Sequence, residues 1–533
     1  MISIFSIEIG QCMDATWVSL LPPMVVIVSI FMSHQLNISL MMGIVSAVLL
    51  VTQGSLLSSL ILLKERFIDH FSDIDNIFLY CSLISISSFI VLLTVTGTAV
   101  ACARIIGKKM STKQGVEKSS ILLSFLLSID DYLSILTVGF VMRSLTDRFA
   151  VARTKLAYLV HSLAGPLVII MPISTWAATI LAQLDNAGVS VQSAAKIVAD
   201  PFYVYLKTIP FMFYSLITIC SVLFVVRQKI AYGPIYEDER VTEPIRDSLV
   251  DEEVESKRNH ALFDLLMPIG VLIGGVFLGI LYTGGFYLLG GNNGFFEAFR
   301  NNNQTFLILC MSGVAAFMVS ALLALYKKRI VVSQLPKIII DGVVLMQAPI
   351  VMVILAAILG GFLRSDLHTG SYIAHVLLGK APLFLIPAIL FITSLLITLT
   401  TGSAWGTFSL LIPITTEMLI TLLQLQTPVM FDSIAIFLPT LGALLSGAAC
   451  GDHISPFSET TVMTSASAEI PSLTHARTQF SYVLPVLCGT LIAFVIAGYS
   501  CIESSLGVSF ALSFGVGCGV SMLLLSLANR FGR

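Results

Sequence analysis

Apolar stretches recur along the whole chain, at 17–32, 38–51, 77–103, 157–181, 207–226, 262–289, 305–326, 338–363, 434–450, 479–500 and 507–528. About twenty helical residues cross a hydrocarbon layer about 30 Å thick, so this pattern predicts a bundle of membrane-spanning helices. The one long hydrophilic segment, 227–260, carries mixed charge at Glu237–Arg240 and Asp251–Arg258 and reads as a solvated loop between two apolar halves. A second kind of interruption is more telling. Asp130 and Asp131 lie together inside the apolar stretch 121–142, and no basic residue occurs within eleven positions on either side. One carboxylate near a bilayer centre costs roughly 2.5 to 3.5 kcal/mol even on lenient scales. Two are tolerated only with a cation, a proton or a wet cavity beside them.

Composition agrees with the pattern. The 533 residues are 56% hydrophobic and 11% charged, with a mean hydropathy of +0.94. No Lys or Arg precedes Lys64, so the first apolar stretch is not expected to be a cleavable signal. Nine scattered cysteines without close pairing read as small hydrophobes, neither disulfides nor metal ligands. A net charge of −2 with no basic patch predicts no nucleic-acid partner.

Positive charge sets the expected topology. Lys and Arg cluster in 104–118, 143–155, 227–258 and 327–337, and cytoplasmic loops hold such excesses. The first two clusters flank the acidic stretch, and a single crossing would leave one of them outside. A re-entrant hairpin over 119–142, turning near Ser128–Tyr132, resolves this, with legs of about eleven residues reaching half the hydrocarbon depth. A second hairpin is expected between Leu383 and Thr416, interrupted by the glycines and hydroxyls of Thr400–Thr407. The chain then has an external N-terminus, eleven full crossings and a cytoplasmic C-terminus, with 22 of the 29 Lys and Arg on the cytoplasmic side.

The halves read as two repeats of opposite orientation, each a crossing, a hairpin, a broken crossing and a crossing, a recurrent plan for secondary transporters. The expected divisions are N-terminal helices at 1–76, a first repeat at 77–226, a cytoplasmic hydrophilic loop at 227–260, linking helices at 261–337, a second repeat at 338–500 and a C-terminal helix at 501–533. Ser162–Thr175 can be laid on Ser446–Glu459 with Pro172 over Pro456, a weak internal echo. Ala152–Tyr158 matches Ala476–Tyr482 better but implies a different repeat order, and is taken as local convergence.

Each repeat offers a candidate helix break. In the second, Gly451 and Pro456 flank Asp452, His453 and Ser455, followed by Ser458, Glu459, Thr460 and Thr461. Glycine and proline free backbone carbonyls. Carbonyls, carboxylates and hydroxyls are the hard oxygen ligands an alkali cation prefers. In the first, the break spans Gly165–Pro166 to Pro172–Trp176, and an ordinary proline kink is the alternative. His161 and His453 are either proton relays or hydrogen-bonded packing residues. Trp176 and Trp405 are given no chemical role.

Five segments then resemble NhaC-type sodium/proton antiporters: Ile129–Asp147 (IDDYLSILTVGFVMRSLTD), Lys155–Tyr158 (KLAY), Pro172–Trp176 (PISTW), Thr401–Pro413 (TGSAWGTFSLLIP) and Gly451–Val462 (GDHISPFSETTV). The resemblance runs from about residue 75 to 500. It implies exchange of Na+ for H+ across a bacterial inner membrane by alternating access. Departures are His161, where related chains usually carry aspartate, Glu459, where a shorter acid is usual, and Ser403, where threonine is common. They leave ion choice and stoichiometry open.

The expected ion and proton site therefore comprises Asp130, Asp131, Asp452, Ser455, Thr401, Ser403 and Glu459, with helix breaks at Gly165, Pro166, Pro172, Gly402, Gly451 and Pro456. Adjacent carboxylates repel when both are charged, so one holds a proton unless a cation is bound. Neighbours on a helix point about 100° apart, which leaves one of Asp130 and Asp131 facing the cavity, with a slight preference for Asp131. No cofactor and no resident metal are expected beyond transported Na+ and H+. The oligomeric state stays open, a homodimer included. The rival reading is Na+- or H+-coupled transport of a small organic acid or amino acid. No HExxH or GxSxG motif supports an enzyme.

Overall fold

The computed structural model describes residues 16–531 apart from 34, 99–100, 102–111, 192–194, 244–260, 296, 299–301, 303, 378–379 and 457. Basic residues Arg104, Lys108 and Lys109 and half of the expected hydrophilic loop, 244–260, lie outside the described residues. The described chain is helical, with three two-residue strands. Seven helices are long and apolar enough to cross a membrane, or up to ten if each sharply bent pair counts once. The fold is therefore that of an all-α polytopic membrane protein. The expected eleven crossings differ from this count partly because α1 (Leu21–Ser33) and α2 (Leu36–Val51) are short.

The next helix, α3 (Leu56–Ser72), was not expected. Its strong amphipathic pattern and its charges at Lys64, Glu65, Arg66 and Asp69 hide it from a search for apolar runs. Arg66 pairs with Asp366 at 2.8 Å. Next comes α4 (Ile74–Val95), capped by Asp73.

The stretch expected as the first hairpin forms two helices, α5 (Lys113–Leu126) and α6 (Asp131–Arg148), joined through residues 127–130. Its legs of 14 and 18 residues are longer than expected. The broken crossing that follows is α7 (Arg153–Ile170) and α8 (Thr175–Asn186), bent by 46°. Here one expectation is corrected. The helix runs unbroken through Gly165 and Pro166, and the break lies at Met171–Ser174, around Pro172. A proline inside a helix forfeits one backbone bond, but α7 is buried from Thr154 to Ile169, and its packing holds the helix together. Strands β1 (Val189–Ser190) and β2 (Ile197–Val198) lead to α9 (Pro201–Thr208) and α10 (Phe213–Gln228).

The start of the hydrophilic segment is ordered as α11 (Pro234–Val241), which buries Ile235 and packs on α7. Glu239 accepts from Lys155 and Lys113, both at 3.1 Å, and Lys155 also pairs with the buried Glu117 at 2.9 Å. After α12 (Ala261–Thr283) and α13 (Thr305–Tyr326), which pack on one another, comes the long α14 (Leu335–Gly361), followed by α15 (Thr369–Leu377).

The second hairpin is α16 (Ile386–Thr401) and α17 (Ala404–Leu422), turning at Gly402, whose φ of +68° suits glycine. Counted with the turn before α16, both legs are long enough to cross. After β3 (Val429–Met430), parallel to β2, come α18 (Phe437–Ile454) and α19 (Glu459–Ala468). Gly451 is the second correction: it lies within α18, and the break is at Ser455–Ser458, around Pro456. Its role is close approach. A Cβ there would sit 2.6 Å from the Leu395 carbonyl oxygen of α16. Two long helices end the chain, α20 (Ser472–Glu503) and α21 (Leu506–Phe531).

Packing between the halves is reciprocal. The second leg of each hairpin lies against the second half of the other broken crossing, α6 on α19 and α17 on α8. Likewise α4 packs on α14, and α10 on α20.

Candidate functional site

Each hairpin tip is tied to a helix break. In the first half, the Thr175 hydroxyl donates to Asp130 Oδ2 at 3.0 Å, and Thr175 N–H donates to the Ile129 carbonyl at 3.3 Å. Asp130 Oδ1 accepts the Leu133 N–H at 2.9 Å and so caps α6. In the second half, the Ser455 hydroxyl donates to the Leu399 carbonyl at 2.9 Å.

Asp131 is different. It is fully buried, at 0% exposure, in the first turn of α6, and neither carboxylate oxygen has a hydrogen-bond partner among the described residues. Asp130 and Asp452 are both within electrostatic reach of it, and the indole N–H of Trp176 is the side-chain donor that faces it, without closing a hydrogen bond of ordinary geometry. The N-terminal end of the α6 dipole favours a negative charge there but offers only partial compensation. Trp176 packs on Trp405 and Phe408 of the second hairpin, with ring centroids 5.5 and 5.9 Å apart. A cavity of about 570 Å³ borders the tip, lined mainly by apolar side chains of α4 and α6 together with Asp130, Tyr132 and Ser467.

Asp452, in the last turn of α18, is 4% exposed. The Ser458 hydroxyl donates to Oδ1 at 2.5 Å and the Thr460 hydroxyl to Oδ2 at 2.6 Å. Thr460 has one proton, so His161 Nε2, 3.0 Å from its oxygen, is the donor in that bond. His161 Nδ1 then accepts from His475 Nε2 at 2.9 Å. This connects His475, His161, Thr460 and Asp452 in one buried chain. His453 stacks obliquely on His161, at 4.7 Å between centroids. Its Nδ1 bonds the Tyr214 hydroxyl at 2.8 Å, while its Nε2 has no partner.

The expected site residues thus fall into four places. Asp130 and Asp131 share the first tip; Asp452, His453 and His161 form a cluster within electrostatic reach of Asp131. Glu459 is exposed and accepts the Tyr132 hydroxyl, joining α19 to the residue after Asp131. Thr401 and Ser403 bond within their own tip: Thr401 Oγ1 accepts from Ser403 N–H at 3.3 Å, and Ser403 Oγ caps α17 at Gly406 N–H, 3.2 Å away. His475, Tyr214 and Tyr132 were not anticipated. His475 and Tyr214 come from distant helices, and nothing in their own neighbourhoods of sequence marks them.

Comparisons with known proteins follow the same lines. The model of the Na+/H+ antiporter family matches residues 167–499, more than half of the chain. An uncharacterized protein of Haemophilus influenzae is 27% identical over 504 residues, covering 93% of each chain. The malate-2H(+)/Na(+)-lactate antiporter of Bacillus subtilis is 29% identical over 121 residues, which cover 22% of this chain and 23% of that one. Among solved structures, the YdaH transporter of Alcanivorax borkumensis superposes with a TM-score of 0.51 at 16% identity, covering 82% of this chain and 88% of its own. That likeness concerns the fold alone.

Proposed function

The chain belongs to the Na+/H+ antiporter family, and on that footing we propose that it exchanges Na+ for H+ through competition at the Asp131 carboxylate. The observation that carries this reading is the unpaired, fully buried state of Asp131. A buried carboxylate without a partner is stable only when protonated or when bound to a cation, because its desolvation is otherwise uncompensated. Na+ and H+ therefore exclude one another there. Asp130 and Asp452, each already hydrogen-bonded, set the negative field that attracts the cation. Thr401, Ser403 and Ser455 complete the oxygen shell only if the second tip shifts toward Asp131 during the cycle.

Two inverted repeats, 77–226 and 338–500, carry the site, flanked by the N-terminal helices, the cytoplasmic loop, the linking helices and the C-terminal helix. Support comes from the reciprocal packing of α6 on α19 and α17 on α8, and from the matching bonds of each tip to a break. In this arrangement the chain crosses a bacterial inner membrane repeatedly, with hairpins entering from opposite sides, and one bundle rocks against the other.

A second reading is favoured by the short match to the malate/lactate antiporter: Na+- or H+-coupled movement of a small organic acid. Proteoliposomes separate the two. Under the first reading, external Na+ collapses an imposed pH gradient with no organic acid present. A collapse that requires lactate or malate supports the second, and no collapse under either condition removes both.

A further inference from the structure

We propose that His161, His453 and Asp452 form a binding site for a divalent transition-metal ion of the Zn2+, Co2+ or Ni2+ class. One ligand atom from each of the three buried residues lies within 4.8 Å of the others. His453 is 1% exposed and its Nε2 has no partner, so an unused lone pair or N–H is sealed inside the protein beside the other two residues.

The surroundings match what orients metal ligands. A ligating imidazole holds its far nitrogen in a hydrogen bond, and a ligating carboxylate is itself hydrogen-bonded. Here His453 Nδ1 is held by Tyr214 and His161 Nδ1 by His475, while Ser458 and Thr460 fix Asp452. His161 offers its Nε2 lone pair once its proton moves to Nδ1, with His475 carrying its own proton on the unpartnered Nδ1.

The donor set discriminates against the alkali ion. Na+ takes oxygen ligands, whereas imidazole suits borderline metals, and two histidines with one carboxylate leave a fourth position open. Bonds of about 2.0–2.1 Å need ligand atoms only about 3.3 Å apart, so the three must draw together. Gly165 leaves the flank of His453 uncrowded: even an added Cβ there would stay 3.7 Å from His453 Nε2, in ordinary contact. Binding stands apart from the exchange reading; only its consequence, that the metal withholds Asp452 and inhibits exchange, rests on it.

The test uses the full chain, purified in detergent without a polyhistidine tag. Equilibrium dialysis with Zn2+ should recover one ion per chain, and Co2+ should give visible d–d absorption that Zn2+ displaces. His161→Asn and His453→Ala should each weaken binding at least tenfold, and His475→Gln by about 10- to 100-fold. Asp131→Asn should leave metal binding unchanged whatever it does to transport, which separates failure of this proposal from failure of the exchange reading. The proposal is overturned if the wild-type chain holds no more metal than the His161→Asn/His453→Ala chain. Gel filtration checks that each variant is folded, and the wild-type Co2+ spectrum decides the matter if one is not.

Discussion

Thr175 donates its hydroxyl to Asp130 across the gap between the first hairpin and the first helix break, at 3.0 Å. Asp130 is thereby committed on both oxygens, and its neighbour Asp131 is left with none. Adjacent acids of the same type thus differ in surroundings, and the proposed exchange is assigned to the one without partners.

Asp130→Asn should accordingly keep measurable exchange, since asparagine also caps helices well. Asp130→Ala should cost about 1 kcal/mol of stability through the lost cap. Na+-dependent collapse of a pH gradient, read beside thermal unfolding in detergent, checks both. Complete loss of exchange in a well-folded Asp130→Asn chain would move the central role to Asp130.

Gly139 on α6 fits directly against Ser467 on α19, where an added Cβ would collide with the serine side chain. Gly139→Ala should lower the unfolding temperature, and adding Ser467→Gly should restore most of the loss, giving a coupling of the size seen for residues in contact, about 0.5–3 kcal/mol. Additive effects would mean that the two helices do not meet there.

Gly451→Ala meets the Leu395 carbonyl oxygen and Thr398 Cβ, each at 2.6 Å, and Leu399 N at 3.0 Å. Nothing flexible can give way, and the yield of folded protein should collapse. Gly274, by contrast, has no atom within 4 Å of an added Cβ, so Gly274→Ala should stabilise by up to about 1 kcal/mol through helix propensity. Fluorescence-detected gel filtration after heating ranks the pair.

Asp200, ahead of α9, is pushed up to about 7 because burial outweighs the hydrogen bonds from Thr305, Asn302 and two backbone N–H groups. The fold thus favours the protonated acid. From the unfolded value near 4 upward, the unfolded state loses its proton first, so this group's contribution to stability falls as pH rises and levels off above about 7. The neutral Asp200→Asn chain should lack this component, and the gap between the two unfolding temperatures should widen in its favour from pH 5 to pH 8. A gap independent of pH would show that Asp200 does not titrate there.

Much of this was legible in the sequence, for identifiable reasons. The long spans announce themselves because a bilayer demands sustained apolarity, and the first hairpin follows from two basic clusters flanking Asp130 and Asp131. Local signals marked Pro172 and Pro456 rightly but added breaks at Gly165, Pro166 and Gly451 that do not occur. Pro166 and Gly451 look like interruptions, yet tertiary packing holds both within helices, and the chain breaks a few residues later, at Pro172 and Pro456. Helices α3 and α11 were invisible because their charges mimic loops. His475 joins His161 across more than 300 residues, a juxtaposition only the fold creates.

The most direct measurement is uptake of radiolabelled Na+ into proteoliposomes under an imposed pH gradient, comparing the wild-type chain with Asp131→Asn of matched yield and gel-filtration profile. The account predicts gradient-driven uptake in the first and background uptake in the second. Wild-type uptake by the Asp131→Asn chain would contradict it.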